Sequence, residues 1–127
     1  MARPKILIVD DDADLRNGLN RRLRASHYDT AFAVDAVQAV SAARKEKPDV
    51  VLLDIGLPGG DGFVVLERMK ANADLGFIPV IIITGRDATV RDRALQAGAV
   101  AFLQKPVDND ELLAAIRRAL DQDAERG

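Results

Sequence analysis

Val50-Val51-Leu52-Leu53-Asp54-Ile55-Gly56-Leu57-Pro58-Gly59-Gly60-Asp61-Gly62 is the stretch on which the reading of this chain turns. Four consecutive apolar residues suit a strand buried on both faces, and the run stops at a carboxylate followed by a loop rich in Gly and Pro. Asp54 is thereby placed at the carboxyl end of a strand. In an open α/β sheet that edge is where ligand chemistry gathers, because loops and helix N-termini line the crevice outside the strand ends.

Working outward from it, the preceding Lys45-Glu46-Lys47-Pro48 closes a helix that starts after Asp35 and carries Val37, Val40 and Ala43 on one face. Before that helix, Tyr28 to Val34 reads as a second strand. Ile6-Leu7-Ile8-Val9 reads as a first strand, closed by Asp10-Asp11-Asp12. Between them Leu15, Leu19 and Leu23 mark an amphipathic helix capped by Asp12 or Asp11. On the other side, a helix opens near Gly62 with Val65, Leu66 and Met69 and frays through residues 71–74. Pro79 to Ile83 is a fourth strand that ends at Thr84-Gly85. Asp87 to Ala97 is a helix with a thin apolar face, stopped by Gly98. Val100-Ala101-Phe102-Leu103 is a fifth strand that ends at Gln104-Lys105-Pro106. The last helix starts after Asp108, with Glu111 three residues on, and carries Leu112, Leu113, Ile116, Ala119 and Leu120. Residues 121–127 read as a polar tail that frays or begins a linker, which leaves 1–120 as one domain.

Five strand–helix alternations with long connections predict a doubly wound α/β fold, a five-stranded parallel sheet covered on both faces. Asp10, Asp11, Asp12, Asp54, Thr84 and Lys105 then share one edge. No comparable polar residue follows the second strand, which puts that strand at the side of the sheet; the full order expected is 2-1-3-4-5. The 127 residues suffice for one core. A net charge of −2, from 18 basic and 20 acidic residues, gives no general pull toward nucleic acid or membrane. With no cysteine there are no disulfides or thiolate metal sites, which fits the cytoplasm. The N-terminal apolar run is too short for a signal peptide core or a membrane span.

Carboxylates converging in a cleft repel one another and either take up protons or bind a cation. An oxygen-only donor set points to a hard ion such as Mg²⁺. With Lys105 and the Thr84 hydroxyl beside it, such a site can hold a phosphoryl group, and Asp54 can itself be the nucleophile. Taken singly, each residue has a plainer reading: helix cap, turn acid, core aromatic. Their meeting at one edge argues against five independent coincidences. A flavin or nucleotide carrier on the same fold would want Gly, Ser or Thr after the first strand, where this chain is acidic.

Val9-Asp10-Asp11, Leu53-Asp54 with Pro58 and Asp61-Gly62, Ile83-Thr84-Gly85 and Phe102-Leu103-Gln104-Lys105-Pro106 occur in this order over nearly the whole chain. In these motifs the chain resembles the receiver domain of two-component response regulators, chemotaxis-regulator-like proteins of flavodoxin-like fold. The resemblance implies a signalling switch rather than an enzyme, in which Asp54 accepts a phosphoryl group from a sensor histidine kinase, a phosphotransfer protein or a small acyl phosphate. It implies Mg²⁺ held by Asp11, Asp54 and the Gly56 carbonyl, with Asp10 acting largely through water. Thr84 and Lys105 would contact the phosphoryl group. Phe102 would turn inward as Thr84 moves, remodelling the face made by the fourth strand, fourth helix, fifth strand and fifth helix for an output partner or attached output domain.

Two positions depart from a bulky surround of the acceptor: Gly56 carries no side chain, and Arg86 brings a long cation near the mouth. Both are expected to tune the lifetime of the aspartyl phosphate. Val100-Ala101 stands where many DNA-binding regulators carry an acidic pair. The resemblance still allows a homodimer through the fourth helix, fifth strand and fifth helix, but not the charged version of that interface. His27, the single histidine, reads as a surface turn residue.

Overall fold

The computed structural model describes residues 3–57, 62–85 and 90–126, with side chains up to residue 121. Among these residues the order is β1 (Lys5–Val9), α1 (Ala13–Ala25), β2 (Asp29–Ala33), α2 (Ala36–Glu46), β3 (Val50–Asp54), α3 (Gly62–Ala71), β4 (Val80–Thr84), α4 (Arg91–Gln96), β5 (Ala101–Gln104) and α5 (Asn109–Arg126). The strands form one parallel sheet in the order β2-β1-β3-β4-β5. The expected doubly wound architecture is therefore present.

Pleating sends alternate side chains to opposite faces, and the two cores follow that parity. Leu7, Val9, Val51, Leu53, Val80 and Ile82 pack with residues of α2, α3 and α4. Ile6, Ile8, Val50, Leu52, Ile81 and Ile83 pack with residues of α1 and α5. β3 and β4 are buried at every position. Each such Val, Leu or Ile contributes about 1.5–3 kcal/mol through burial, which anchors the central strands and the residues at their ends.

Local chemistry sets the element boundaries. The Asp12 carboxylate caps α1 by accepting from the N–H groups of Asp14 and Leu15. Asp35 does the same for α2 through the Gln38 N–H, and Lys47 ends that helix in the left-handed region at φ 49°. Gly98 has φ 108°, and a Cβ there would press on the Lys70 side chain at 3.2 Å. Asp108 accepts from the Glu111 N–H at 2.9 Å and so caps α5. His27 lies exposed in the turn after α1 with φ 70°.

Three expectations need correction. α2 presents Ala36, Ala39 and Ala43 to the sheet, with Val40 partly buried, while Val37 is 69% exposed. Small side chains let the helix lie close to the sheet, so the buried stripe is one position away from the one the valines suggested. Residues 72–78 do not fray; they form a succession of turns that buries Leu75 and Ile78, closed by the Leu75 and Ile78 N–H groups donating to the Asn72 and Leu75 carbonyls. Residues 121–126 continue α5 as helix rather than fraying. The start expected for the fourth helix, at residues 87–89, lies outside the described residues. Among the described residues no helix is long and apolar enough to cross a membrane.

Candidate functional site

Parallel pairing aligns the strand ends. Val9 is opposite Leu53, Asp54 opposite Ile83, and Thr84 opposite Gln104. Asp10 therefore follows β1, Asp54 closes β3, Thr84 closes β4 and Lys105 follows β5, all at one edge. The Lys105 N–H donates to the Thr84 carbonyl at 2.9 Å and continues the pairing past β5. The Lys105 Nζ then reaches Asp10 Oδ2 at 3.0 Å and Asp54 Oδ2 at 3.3 Å. The remaining Asp54 oxygen, Oδ1, accepts from the Gly56 N–H at 3.0 Å.

The acidic turn after β1 is braced at several points. Asp10 Oδ1 accepts from the Asp12 N–H at 2.9 Å, and the Asp10 carbonyl accepts from Arg16 Nη1 at 2.8 Å. The Asp10 N–H donates to the Ala33 carbonyl at 3.1 Å. Asp12 is spent on capping α1, which leaves Asp10 and Asp11 for the site. Carboxylate oxygens of Asp10, Asp11 and Asp54 lie within 4.8 Å of one another. Asp10 and Asp54 are buried and Asp11 is exposed, so the cluster has a dry floor and an open mouth.

Burial raises the Asp10 pKa above the ordinary carboxylate value. The Asp12 N–H and Lys105 work against that rise, and repulsion from Asp54 adds to it. Burial alone would lower the Lys105 pKa, but the hydrogen bond to Asp10 and the charges of Asp54 and Asp10 outweigh it, so the ammonium is held above its ordinary value. Lys105 is thus a fixed cation between two acids, one of them strained by its own charge. An all-oxygen donor set of this kind, with its repulsion only partly offset by one lysine, fits a hard divalent cation such as Mg²⁺.

The loop after Asp54 closes on itself through the Gly62 N–H, which donates to the Ile55 carbonyl at 2.8 Å. A Cβ at Gly62 would lie 2.5 Å from Ile55 Cα and 2.7 Å from the Asp54 carbonyl, so only glycine fits. At Gly56 a Cβ would meet Asp54 Oδ1 at 3.7 Å, an ordinary contact, so a side chain can be carried beside Asp54.

Pleat parity divides the residues at this edge. Asp54 has the parity of Val50 and Leu52, on the α1 and α5 side. Thr84 has that of Val80 and Ile82, and Phe102 packs half-buried against the same core, on the α4 side. Thr84 is buried at 1% exposure. Among the described residues α4 spans six positions, Arg91–Gln96, with no side-chain cap. Arg93 of α4 lies over the buried Phe63 ring of α3, 3.8 Å from its centroid. Of the residues singled out in the sequence, Asp10, Asp11, Asp54, Gly56, Thr84 and Lys105 come together at this edge, with Phe102 two strand positions behind Thr84. Arg86, Pro58 and Asp61 lie outside the described residues. Arg16 escaped the sequence reading. Its signal was a cation in the fourth position of α1, where the positive end of the helix dipole disfavours one. A cavity of about 550 Å³ at the opposite edge, lined by Ala43, Arg44, Pro48, Leu75, Phe77 and Ile78, contains none of the site residues.

Comparison with known proteins agrees with this geometry. The sequence model for the response regulator receiver domain matches residues 6–117. The DNA-binding response regulator MtrA of Mycolicibacterium paratuberculosis is 39% identical over 119 residues, covering 93% of this chain and 52% of that protein. A CheY-like response regulator receiver domain protein from Methanospirillum hungatei superposes with a TM-score of 0.91 at 29% identity, covering 98% of this chain and 99% of that one. The receiver domain of the sensor histidine kinase PA1611 from Pseudomonas aeruginosa, solved with magnesium in its active-site cleft, gives a TM-score of 0.86 at 30% identity. That match covers 94% of this chain and 99% of the other. The chain spans 25% to 52% of the length of the curated relatives it matches.

Proposed function

Because this chain belongs to the response regulator receiver domain family of two-component systems, we propose that Asp54 is its phosphoacceptor and that the residues around it carry the transfer. The observation that carries this reading is the meeting of Asp10, Asp11 and Asp54 within 4.8 Å, with Lys105 bridging Asp10 and Asp54.

Receiver domains of response regulators are signalling switches phosphorylated by histidine kinases. In the step proposed here, a carboxylate oxygen of Asp54 attacks the phosphorus of a kinase phosphohistidine. The oxygen–phosphorus bond forms, the nitrogen–phosphorus bond breaks, and its electron pair returns to the imidazole. Lys105, already 3.3 Å from Asp54 Oδ2, offsets charge on the transferred group. The Thr84 hydroxyl would donate to a phosphoryl oxygen. Asp11, Asp54 and the Gly56 carbonyl would hold Mg²⁺, with Asp10 acting through water. Its carboxylate is already engaged by the Asp12 N–H and by Lys105. When bound, that ion supplies positive charge to the phosphoryl oxygens. The same groups would let the protein phosphorylate itself from a small acyl phosphate and later hydrolyse the product.

Phosphorylation would be read out through Thr84 and Phe102 on the α4–β5–α5 face, toward a partner, an attached output domain or a second copy. Residues 1–120 would form the receiver unit, and 121–127 a polar tail or the start of a linker. Gly56 and Arg86 would set the lifetime of the phosphoryl group; unchanged dephosphorylation rates in Gly56→Asn and Arg86→Ala would remove that role.

The test is to incubate the protein with acetyl phosphate and Mg²⁺ and measure its intact mass. The reading requires a phosphoryl adduct that is lost in Asp54→Asn and with EDTA. No adduct, or one that survives the substitution, contradicts it.

A further inference from the structure

Asp11 is the exposed member of the acid cluster. Among the described residues its carboxylate makes no hydrogen bond or ion pair, so the backbone of the turn is what places the side chain at the site. The peptide that fixes that aim joins Asp10 to Asp11. Arg16 Nη1 donates to its carbonyl oxygen at 2.8 Å from six residues downstream. The Arg16 backbone is tied to the same turn, since its N–H donates to the Asp12 carbonyl at 3.0 Å. That bond is the first of the helix, so the half-buried Arg16 side chain ties the start of α1 back to the acidic turn.

We propose that Arg16 is a positioning residue for the metal: by holding the Asp10 carbonyl it aims Asp11, and so sets Mg²⁺ affinity without touching the ion. This rests on the metal reading given above. A guanidinium near a divalent cation site acts in two opposed ways. As a charge it repels the ion and weakens binding. As a clamp on the ligand-bearing turn it strengthens binding, because loss of such outer contacts typically lowers metal affinity by about 10- to 100-fold. The sign of the effect therefore separates the two roles.

The test is a Mg²⁺ titration of the full chain followed by the amide shifts of Asp11, Asp54 and Gly56, in the wild type, Arg16→Met, Arg16→Lys and Asp11→Asn. Thermal melts and amide spectra confirm that each variant is folded at the titration temperature. The expected result is an affinity loss of about 10-fold or more in Arg16→Met, substantial recovery in Arg16→Lys, which keeps a donor of similar reach, and loss of binding in Asp11→Asn. If Arg16→Met binds Mg²⁺ as tightly as the wild type or more tightly, Arg16 acts only as a charge and the positioning role is overturned while the metal reading stands. If the wild type itself shows no Mg²⁺-dependent shifts at these amides, the metal reading fails and the role of Arg16 falls with it.

Discussion

The two halves of the site are built to different standards. On the α1 and α5 side, Asp10, Asp54 and Lys105 are joined by ion pairs of 3.0 and 3.3 Å, and the turn between β1 and α1 is fixed by Asp12, Arg16 and Ala33. The helix that follows has 13 residues and a side-chain cap. On the α4 side, Thr84 and Phe102 face a helix that spans six residues, Arg91–Gln96, and shows no side-chain cap among the described residues. Phosphoryl transfer needs reacting groups held in place before reaction. An output needs an element whose rearrangement costs little, and short helices with few internal bonds are drawn from that low-stability end. In the proposed function the sheet pleat would separate the two tasks, since Asp54 and Thr84 have opposite parity.

That contrast can be broken most forcefully at Gly62. Gly62→Ala should lower stability by about 3 kcal/mol, since the new methyl meets backbone that cannot move freely, and should slow adduct formation by shifting Asp54. Chemical denaturation and the rate of mass gain measure the two effects. A variant with unchanged stability and rate would mean that the acceptor loop is not held as described. Asp12→Ala, which removes the α1 cap, should cost about 1 kcal/mol. Arg93→Ala, on the α4 side, should cost about 0.5–1 kcal/mol, the usual worth of an exposed cation–π contact. Its amide exchange should quicken in α4 and leave the β1–α1 turn unchanged.

The smallest effect has the opposite sign. The folded-state pKa of Asp10 lies above its ordinary value of 3.8, so the folded protein holds this proton more tightly than the unfolded chain. Its contribution to stability is present below the ordinary carboxylate pKa and is lost as pH rises through the folded value. At neutral pH the charged carboxylate is a liability. Asp10→Asn should therefore melt higher than the wild type without Mg²⁺ near pH 7, with the difference vanishing in acid. An unchanged or lower melting temperature at pH 7 would show that the ion pair with Lys105 outweighs the burial of Asp10.

Most of this architecture could be read in the residue order, because each strand is an apolar run that ends abruptly in a polar residue. Asp10, Asp54, Thr84 and Lys105 were visible for that reason. The face of α2 was misread because hydrophobicity favoured Val37, whereas close packing on the sheet favours Ala36, Ala39 and Ala43. The end of α5 carries no apolar stripe to announce it, and residues such as Ala, Gln, Glu and Arg continue a helix by propensity alone. Leu75 and Ile78 escaped because turns that bury side chains have no fixed period. Arg16 reaches back six residues to a carbonyl, a contact that no sequence periodicity encodes.

The most direct measurement is to locate the phosphoryl group itself. After reaction with acetyl phosphate and Mg²⁺, borohydride reduces an aspartyl phosphate to homoserine, and peptide sequencing by mass spectrometry finds the residue. Phosphoryl transfer to Asp54 predicts homoserine at position 54 and no other converted aspartate. Homoserine at position 10 or 11, or a borohydride-resistant phosphoryl group elsewhere, would contradict it.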